Sequence, residues 1–206
     1  ADSGLYFTHP DFEMRNKVIE RFKGFIDLAK DFGGLVNVGR VRGWIQEGQT
    51  LEETESVFMD TIRRICDIAA AAGVELILEP VNRYESNFIN NLDEGAEIIR
   101  MVNRKNLKLM PDVFHMNIED SRIGDSLIQH SDLVRYIHFA DSNRLSPGLG
   151  HLDFDEIFRA LDIAGFDGWA SIEILPEPNP DIAARKAADF ILPMIEKYNR
   201  KDEAPI

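Results

Sequence analysis

Four side chains of metal-binding type, Glu79, Asp112, His138 and Glu173, each close a short apolar run, at steps of roughly 26 to 35 residues. Glu79 ends Val74-Glu75-Leu76-Ile77-Leu78, and Asp112 follows Leu107-Lys108-Leu109-Met110-Pro111. His138 ends Leu133-Val134-Arg135-Tyr136-Ile137, and Glu173 ends Trp169-Ala170-Ser171-Ile172. A helical pattern separates each run from the next, so every step has the length of one strand–helix unit. In a parallel barrel the C-terminal ends of all strands open onto one face, where active sites are built. Three carboxylates and one imidazole converging there would hold a divalent metal. One glutamate at a strand end is a weak signal, since it more often pairs with a nearby lysine or arginine. Four such residues in order are a strong one. Further polar groups follow at short spacing: Glu85 six residues after Glu79, His115 three after Asp112, and Arg144 six after His138, ahead of Pro147-Gly148-Leu149-Gly150-His151.

The elements that must position these groups alternate along the chain. Residues 11–32 predict an amphipathic helix with Val18, Ile19, Phe22, Ile26 and Ala29 on one stripe. Gly33-Gly34 ends it, 35–39 reads as a buried strand, and 43–48 as a loop. Thr50-Leu51-Glu52-Glu53 is a capping box opening a helix that reaches about Ala72 and stops at Gly73. Strand 74–79, a helix capped at Asn91 and running to about Asn103, and strand 107–112 come next. A helix around 123–131 and strand 134–139 follow. Asp153 caps a helix ended by Gly165, strand 169–174 is the last, and Pro180 starts a final helix with Ile182, Ala183, Phe190 and Met194 inward. Five near-continuous apolar strands alternating with helices require a parallel sheet covered by helices and buried on both faces. The expected class is α/β, a (β/α)8 TIM barrel of which about five C-terminal strand–helix units are present, with 1–206 as one partial domain. Residues 1–7 read as the tail of an earlier strand, so an N-terminal part of roughly three units is expected to be missing, leaving two sheet edges exposed.

Bulk composition narrows the function. At 206 residues, 44% hydrophobic and 29% charged, the chain is an ordinary globular one. No apolar stretch is long enough to span a bilayer and no signal peptide is evident, so no membrane partner and a cytoplasmic location are expected. The single cysteine, Cys66, excludes an internal disulfide and reads as a small core residue on a helix. A formal charge of −13 argues against nucleic acid as partner. It leaves a small anionic substrate open, because a metal and a few arginines set the local field. Three hard carboxylates with one imidazole suit Mn²⁺, with Mg²⁺ or Co²⁺ possible.

The stretches Glu79-Pro80-Val81-Asn82-Arg83-Tyr84-Glu85 and His138-Phe139-Ala140-Asp141-Ser142-Asn143-Arg144, continuing to His151, resemble the sugar isomerase/epimerase barrels related to xylose isomerase, and within them the D-tagatose/D-psicose 3-epimerase branch. The match covers nearly the whole chain, as strands four to eight of that barrel. Phe7-Thr8-His9-Pro10-Asp11 and Gly39-Arg40-Val41-Arg42-Gly43 look similar to members acting on keto-sugar acids, such as 5-keto-L-gluconate epimerases. The resemblance implies that Glu79, Asp112, His138 and Glu173 hold one metal, that Glu79 and Glu173 are the catalytic pair, and that Glu85, His115 and Arg144 contact the substrate. It also implies a homo-oligomer. The reaction implied is inversion of the carbon next to the keto group of a ketose or keto-sugar acid, through an enediolate. Weaker candidates are Arg42, for a substrate carboxylate or else a surface ion pair, and His151 at the site mouth. Trp44 and Phe114 are candidates for an apolar wall or plain packing. His9 is expected in a loop and His130 at an exposed helix end.

Rival readings use the same metal and fold: an aldose–ketose isomerase, a keto-inositol dehydratase, a DNA-repair endonuclease disfavoured by the acidic balance, or a truncated metal-binding fragment without activity. Product identity separates the first two from an epimerase.

Overall fold

The computed structural model describes residues 4–198, which form two compact units, one ending at Met110 and the other beginning at Pro111. No helix among them is long and apolar enough to cross a membrane.

In the N-terminal unit, Asp11 caps α1 (Phe12–Ala29) by accepting from the Glu13 amide at 2.8 Å. Its buried stripe is Val18, Ile19, Phe22, Ile26 and Ala29, the set expected from the periodicity. Gly33 and Gly34, at φ 95° and 72°, reverse the chain into β1 (Leu35–Val38) with backbone angles that side chains resist. A 3-10 turn at Arg40–Arg42 joins β1 to the loop read over 43–48. The Thr50–Glu53 capping box forms at the start of α2 (Leu51–Ala71), which leads to β2 (Glu75–Leu78). Asn91 caps α3 (Leu92–Val102), and β3 (Leu107–Leu109) completes a parallel sheet in the order β1-β2-β3. Val38, Leu76, Leu78 and Leu109 are fully buried in it, each contributing about 1.5–3 kcal/mol of apolar burial. Of the run expected to end an earlier strand, residues 1–3 lie outside the described residues. Phe7 packs its ring against Phe22 and Phe58.

The C-terminal unit opens on α4 (Val113–Glu119), a helix of seven residues, too short to leave a readable period. Next come α5 (Ile123–Gln129), β4 (Tyr136–Phe139), α6 (Phe154–Ile163), β5 (Trp169–Ile172) and α7 (Pro180–Tyr198). β4 and β5 pair in parallel, His138 opposite Ser171. The strand expected over 107–112 stops at Leu109, because Pro111 has no amide to continue a ladder. The carbonyl of Pro111 still accepts from the His138 amide at 2.9 Å, and Asp112 forms an isolated bridge with His138.

Three expectations change here. β5 is not buried on both faces: Trp169 is 64% exposed, and among the described residues β5 pairs with β4 alone. Of the residues expected inward on α7, Ala183 is buried and Phe190 packs its ring against Phe154, but Ile182 is exposed, and Ala187 and Ile191 complete the buried face. His130 is buried at the end of α5 instead of exposed. Cys66 is buried on α2, as read from its apolar neighbours, and burial pushes its thiol up to about 12.

Candidate functional site

Each unit carries part of the expected constellation at the C-terminal ends of its strands. In the N-terminal unit Glu79 follows β2 directly and is only 6% exposed. Its amide donates to the Val38 carbonyl at 3.1 Å, extending the β1–β2 ladder, and its Oε2 accepts from Asn37 Nδ2 at 3.1 Å. Its own carbonyl accepts from Arg42 Nη1 at 3.0 Å.

Arg42 corrects an expectation. It neither reaches toward a substrate nor forms a surface ion pair. The side chain is fully buried, with Nε donating to the Phe88 carbonyl and Nη2 to the Ile89 carbonyl, both at 2.8 Å. A guanidinium has five donors in a fixed fork, which is why one side chain can serve three carbonyls of the segment after β2. Burial pulls its pKa down to about 10, against the opposing fields of Glu79, Glu85 and Glu94, so it stays a cation at neutral pH. One of the carbonyls it holds belongs to Ile89, which sits at φ 58°, an unfavourable backbone for a β-branched residue. Glu85 lies on the exposed loop beyond Asn82, with Arg40 Nε 3.9 Å from its Oε2. The Trp44 ring lies 4.2 Å from that of Tyr6 between centroids, tilted by 31°, which is packing within this unit. His9 is in the loop expected of it, its Nδ1 accepting from the Asp11 amide.

In the C-terminal unit Asp112 is 1% exposed and divides its two oxygens. Oδ1 caps α4 by accepting from the Phe114 amide at 2.9 Å, while Oδ2 accepts from Arg144 Nη1 at 2.5 Å. His138, third residue of β4, has Nδ1 2.7 Å from Glu173 Oε2 and 3.7 Å from Asp112 Oδ2. Glu173 follows β5, its amide donating to the Phe139 carbonyl, and its Oε2 lies 3.0 Å from Arg144 Nη2. The contact with His138 draws the Glu173 carboxyl down to about 2, against the effect of partial burial and with the Arg144 charge assisting. At rest it is therefore a carboxylate near neutral pH, ready to accept a proton. Ligand atoms of Asp112, His138 and Glu173 lie within 4.8 Å of one another. Hard carboxylate oxygens beside one imidazole nitrogen, with no thiol, fit a divalent ion of the Mn²⁺, Mg²⁺ or Zn²⁺ kind.

Arg144 owes its aim to the loop that carries it. Its φ is 64°, its amide donates to the Asp141 carbonyl at 2.8 Å, and its carbonyl accepts from Leu175. Its guanidinium lies 4.7 Å from the centre of the Phe114 ring, so Phe114 is a platform for that cation. Asp141 organises the loop. Burial alone would raise its pKa, but backbone amides of Ser142, Leu152, Gly150 and Gly148 hold it below the usual carboxylate range. His115 is buried on α4, 5.3 Å from the Phe114 ring. His151 is exposed, with Nδ1 2.9 Å from Ser142 Oγ. Asn37 and Asp141 escaped the sequence reading. An asparagine inside an apolar strand, and an Asp-Ser-Asn turn ahead of a glycine-rich stretch, were the available signals.

Residues 2–194 match the family model described as a xylose isomerase-like TIM barrel. The D-psicose 3-epimerase of Ruminiclostridium cellulolyticum is 35% identical over 181 residues, which are 84% of this chain and 60% of that protein. The chain thus spans less than two thirds of that relative's length. The D-allulose 3-epimerase of a Methylomonas species, solved with D-allulose, superposes with a TM-score of 0.84 at 27% identity, over 93% of this chain and 74% of that one. The IOLI protein, solved with a zinc atom, gives a TM-score of 0.80 at 26% identity, over 95% of this chain and 75% of that one.

Proposed function

The chain belongs to the xylose isomerase-like TIM barrel family, and from that membership and the geometry of Asp112, His138, Glu173 and Arg144 we propose that it acts as a divalent-metal-dependent epimerase. The reaction is inversion of the carbon next to the keto group of a ketose or keto-sugar acid. Glu79, Asp112, His138 and Glu173 would hold the metal, most fittingly Mn²⁺. Bound there, such an ion supplies Lewis acidity toward a carbonyl and its neighbouring hydroxyl.

The protein's own groups perform the proton transfers. One of Glu79 and Glu173 enters the step ionised and takes the proton from carbon, leaving an enediolate, and the other enters it protonated and gives that proton to the opposite face, after which exchange with solvent restores both groups. The two exchange roles in the reverse direction, and no atom is lost. Arg144 presents a fixed positive charge where negative charge develops on the substrate oxygens. Glu85 and His115 hold hydroxyl groups near the carbonyl end. The protein acts as a homo-oligomer in the cytoplasm.

The observation that carries this reading is the meeting of Asp112 Oδ2, His138 Nδ1 and Glu173 Oε2 beside one guanidinium. The named relatives, a D-psicose and a D-allulose 3-epimerase, support the choice of epimerisation. The test is incubation of Mn²⁺-loaded protein in D₂O with a panel of ketoses and keto-sugar acids. The expected product is the epimer, with deuterium on the inverted carbon. An aldose product would make the protein an isomerase, and release of water a dehydratase. Absence of any product would remove the proposal.

A further inference from the structure

Glu79 is expected to act as ligand and base at once, yet a carboxylate on a flexible side chain does neither well unless its plane is set. The β1–β2 pair contains a device for setting it. The parallel register places Asn37 opposite Ile77 and Val38 opposite Leu78, so Gly39 falls opposite Glu79. Side chains alternate along a strand, and so Asn37, Gly39 and Glu79 share one face. Across that face Asn37 Nδ2 stands 3.1 Å from Glu79 Oε2. An ionised carboxylate only accepts, so the nitrogen end of the amide must be the one that faces it. At Gly39 a Cβ would lie 2.9 Å from the same Oε2 and 3.6 and 3.7 Å from the two terminal atoms of Asn37. A side chain there would press on the carboxylate and shift it from the amide. Arg42 meanwhile holds the Glu79 backbone carbonyl.

We infer that Asn37 is a positioning residue, and that Asn37 with Gly39 fixes the orientation of the Glu79 carboxylate as a metal ligand. Partners of this kind, hydrogen-bonded to a ligand, typically change metal affinity roughly 10- to 100-fold when removed. The inference rests on the reading of Glu79 as a metal ligand, and one control separates the two.

The test is titration of the metal-free 206-residue protein with Mn²⁺, free ion being followed by electron paramagnetic resonance, for wild type, N37L, G39A and E79Q. N37L keeps the branched shape and removes the donor, while G39A sets a methyl group against the carboxylate. Both are expected to weaken Mn²⁺ binding roughly tenfold or more. The melting temperature of metal-free N37L should match that of wild type, a combination that a merely structural role for Asn37 would not give. If G39A fails to fold, N37L decides alone. Weakened binding in E79Q with wild-type binding in N37L overturns the positioning role and spares Glu79 as ligand. Wild-type binding in E79Q overturns the ligand assignment, and the positioning role with it.

Discussion

Arg144 Nη1 stands 2.5 Å from Asp112 Oδ2, so a carboxylate with almost no exposure is matched by a guanidinium whose other nitrogen reaches Glu173 at 3.0 Å. The same oxygens are expected to take a divalent ion, and the two cations repel one another by at least ~1 kcal/mol at such range. Replacing Arg144 by methionine should therefore tighten Mn²⁺ binding roughly tenfold while turnover collapses. Calorimetric titration beside an epimerisation assay checks both signs. Weaker binding in R144M would mean that the guanidinium serves only to preform the site.

Glu79→Gln and Glu173→Gln are nearly isosteric, and each removes a proton acceptor without opening a cavity. Turnover should fall about a thousandfold or more in both, with metal-free melting temperatures close to wild type. Retained epimerisation in either variant would remove the role assigned to that glutamate.

Arg42 is the most consequential buried cation of the N-terminal unit. Arg42→Met strips donors from the carbonyls of Glu79, Phe88 and Ile89. The expected loss is about 3 kcal/mol or more of unfolding free energy, since each buried acceptor left without a donor is costly. Arg42→Lys keeps the charge but not the fork, and should recover only part of it. Urea unfolding measures both. A neutral R42M would show that the segment after β2 is held by other means.

The Asp141 carboxyl sits below its ordinary value of 3.8 in the folded protein. A depressed folded pKa gives stability that is present above the unfolded value and is lost as pH falls through the folded one. Wild-type melting temperature should thus drop as pH falls below about 4, and Asp141→Asn should flatten that part of the curve while lowering the plateau at neutral pH. Thermal melts between pH 7 and pH 2.5 decide it. Parallel curves for the two proteins would show that the loop amides do not depend on this charge.

The alternation of strands and helices was legible because periodicity and caps agree: the Thr50–Glu53 box and the α1 stripe appear as read. Glu79, Asp112 and Glu173 were legible as residues that follow apolar runs. His138 lies within β4, inside the 134–139 strand read from the sequence. What composition cannot display is partnership across long separations. Arg42 looked like a surface cation because its three acceptors are backbone atoms 37 to 47 residues away. The seven-residue α4 had too few turns to leave a pattern, so Asp112 was read as a strand end when it is also a helix cap. The exposed face of β5 had the same apolar character as the buried strands, and sequence pattern registers hydrophobicity, not what covers it.

The left-handed backbone at Arg144 bears on how the residue can be changed. Alanine or methionine there inherits a conformation that glycine adopts freely, so those variants remove a charge yet keep the conformational debt, whereas Arg144→Gly discharges both. The difference in unfolding free energy between R144G and R144A, expected to be about 1 kcal/mol in favour of glycine after allowing for the looser unfolded chain, would measure what this protein gives up to point one guanidinium.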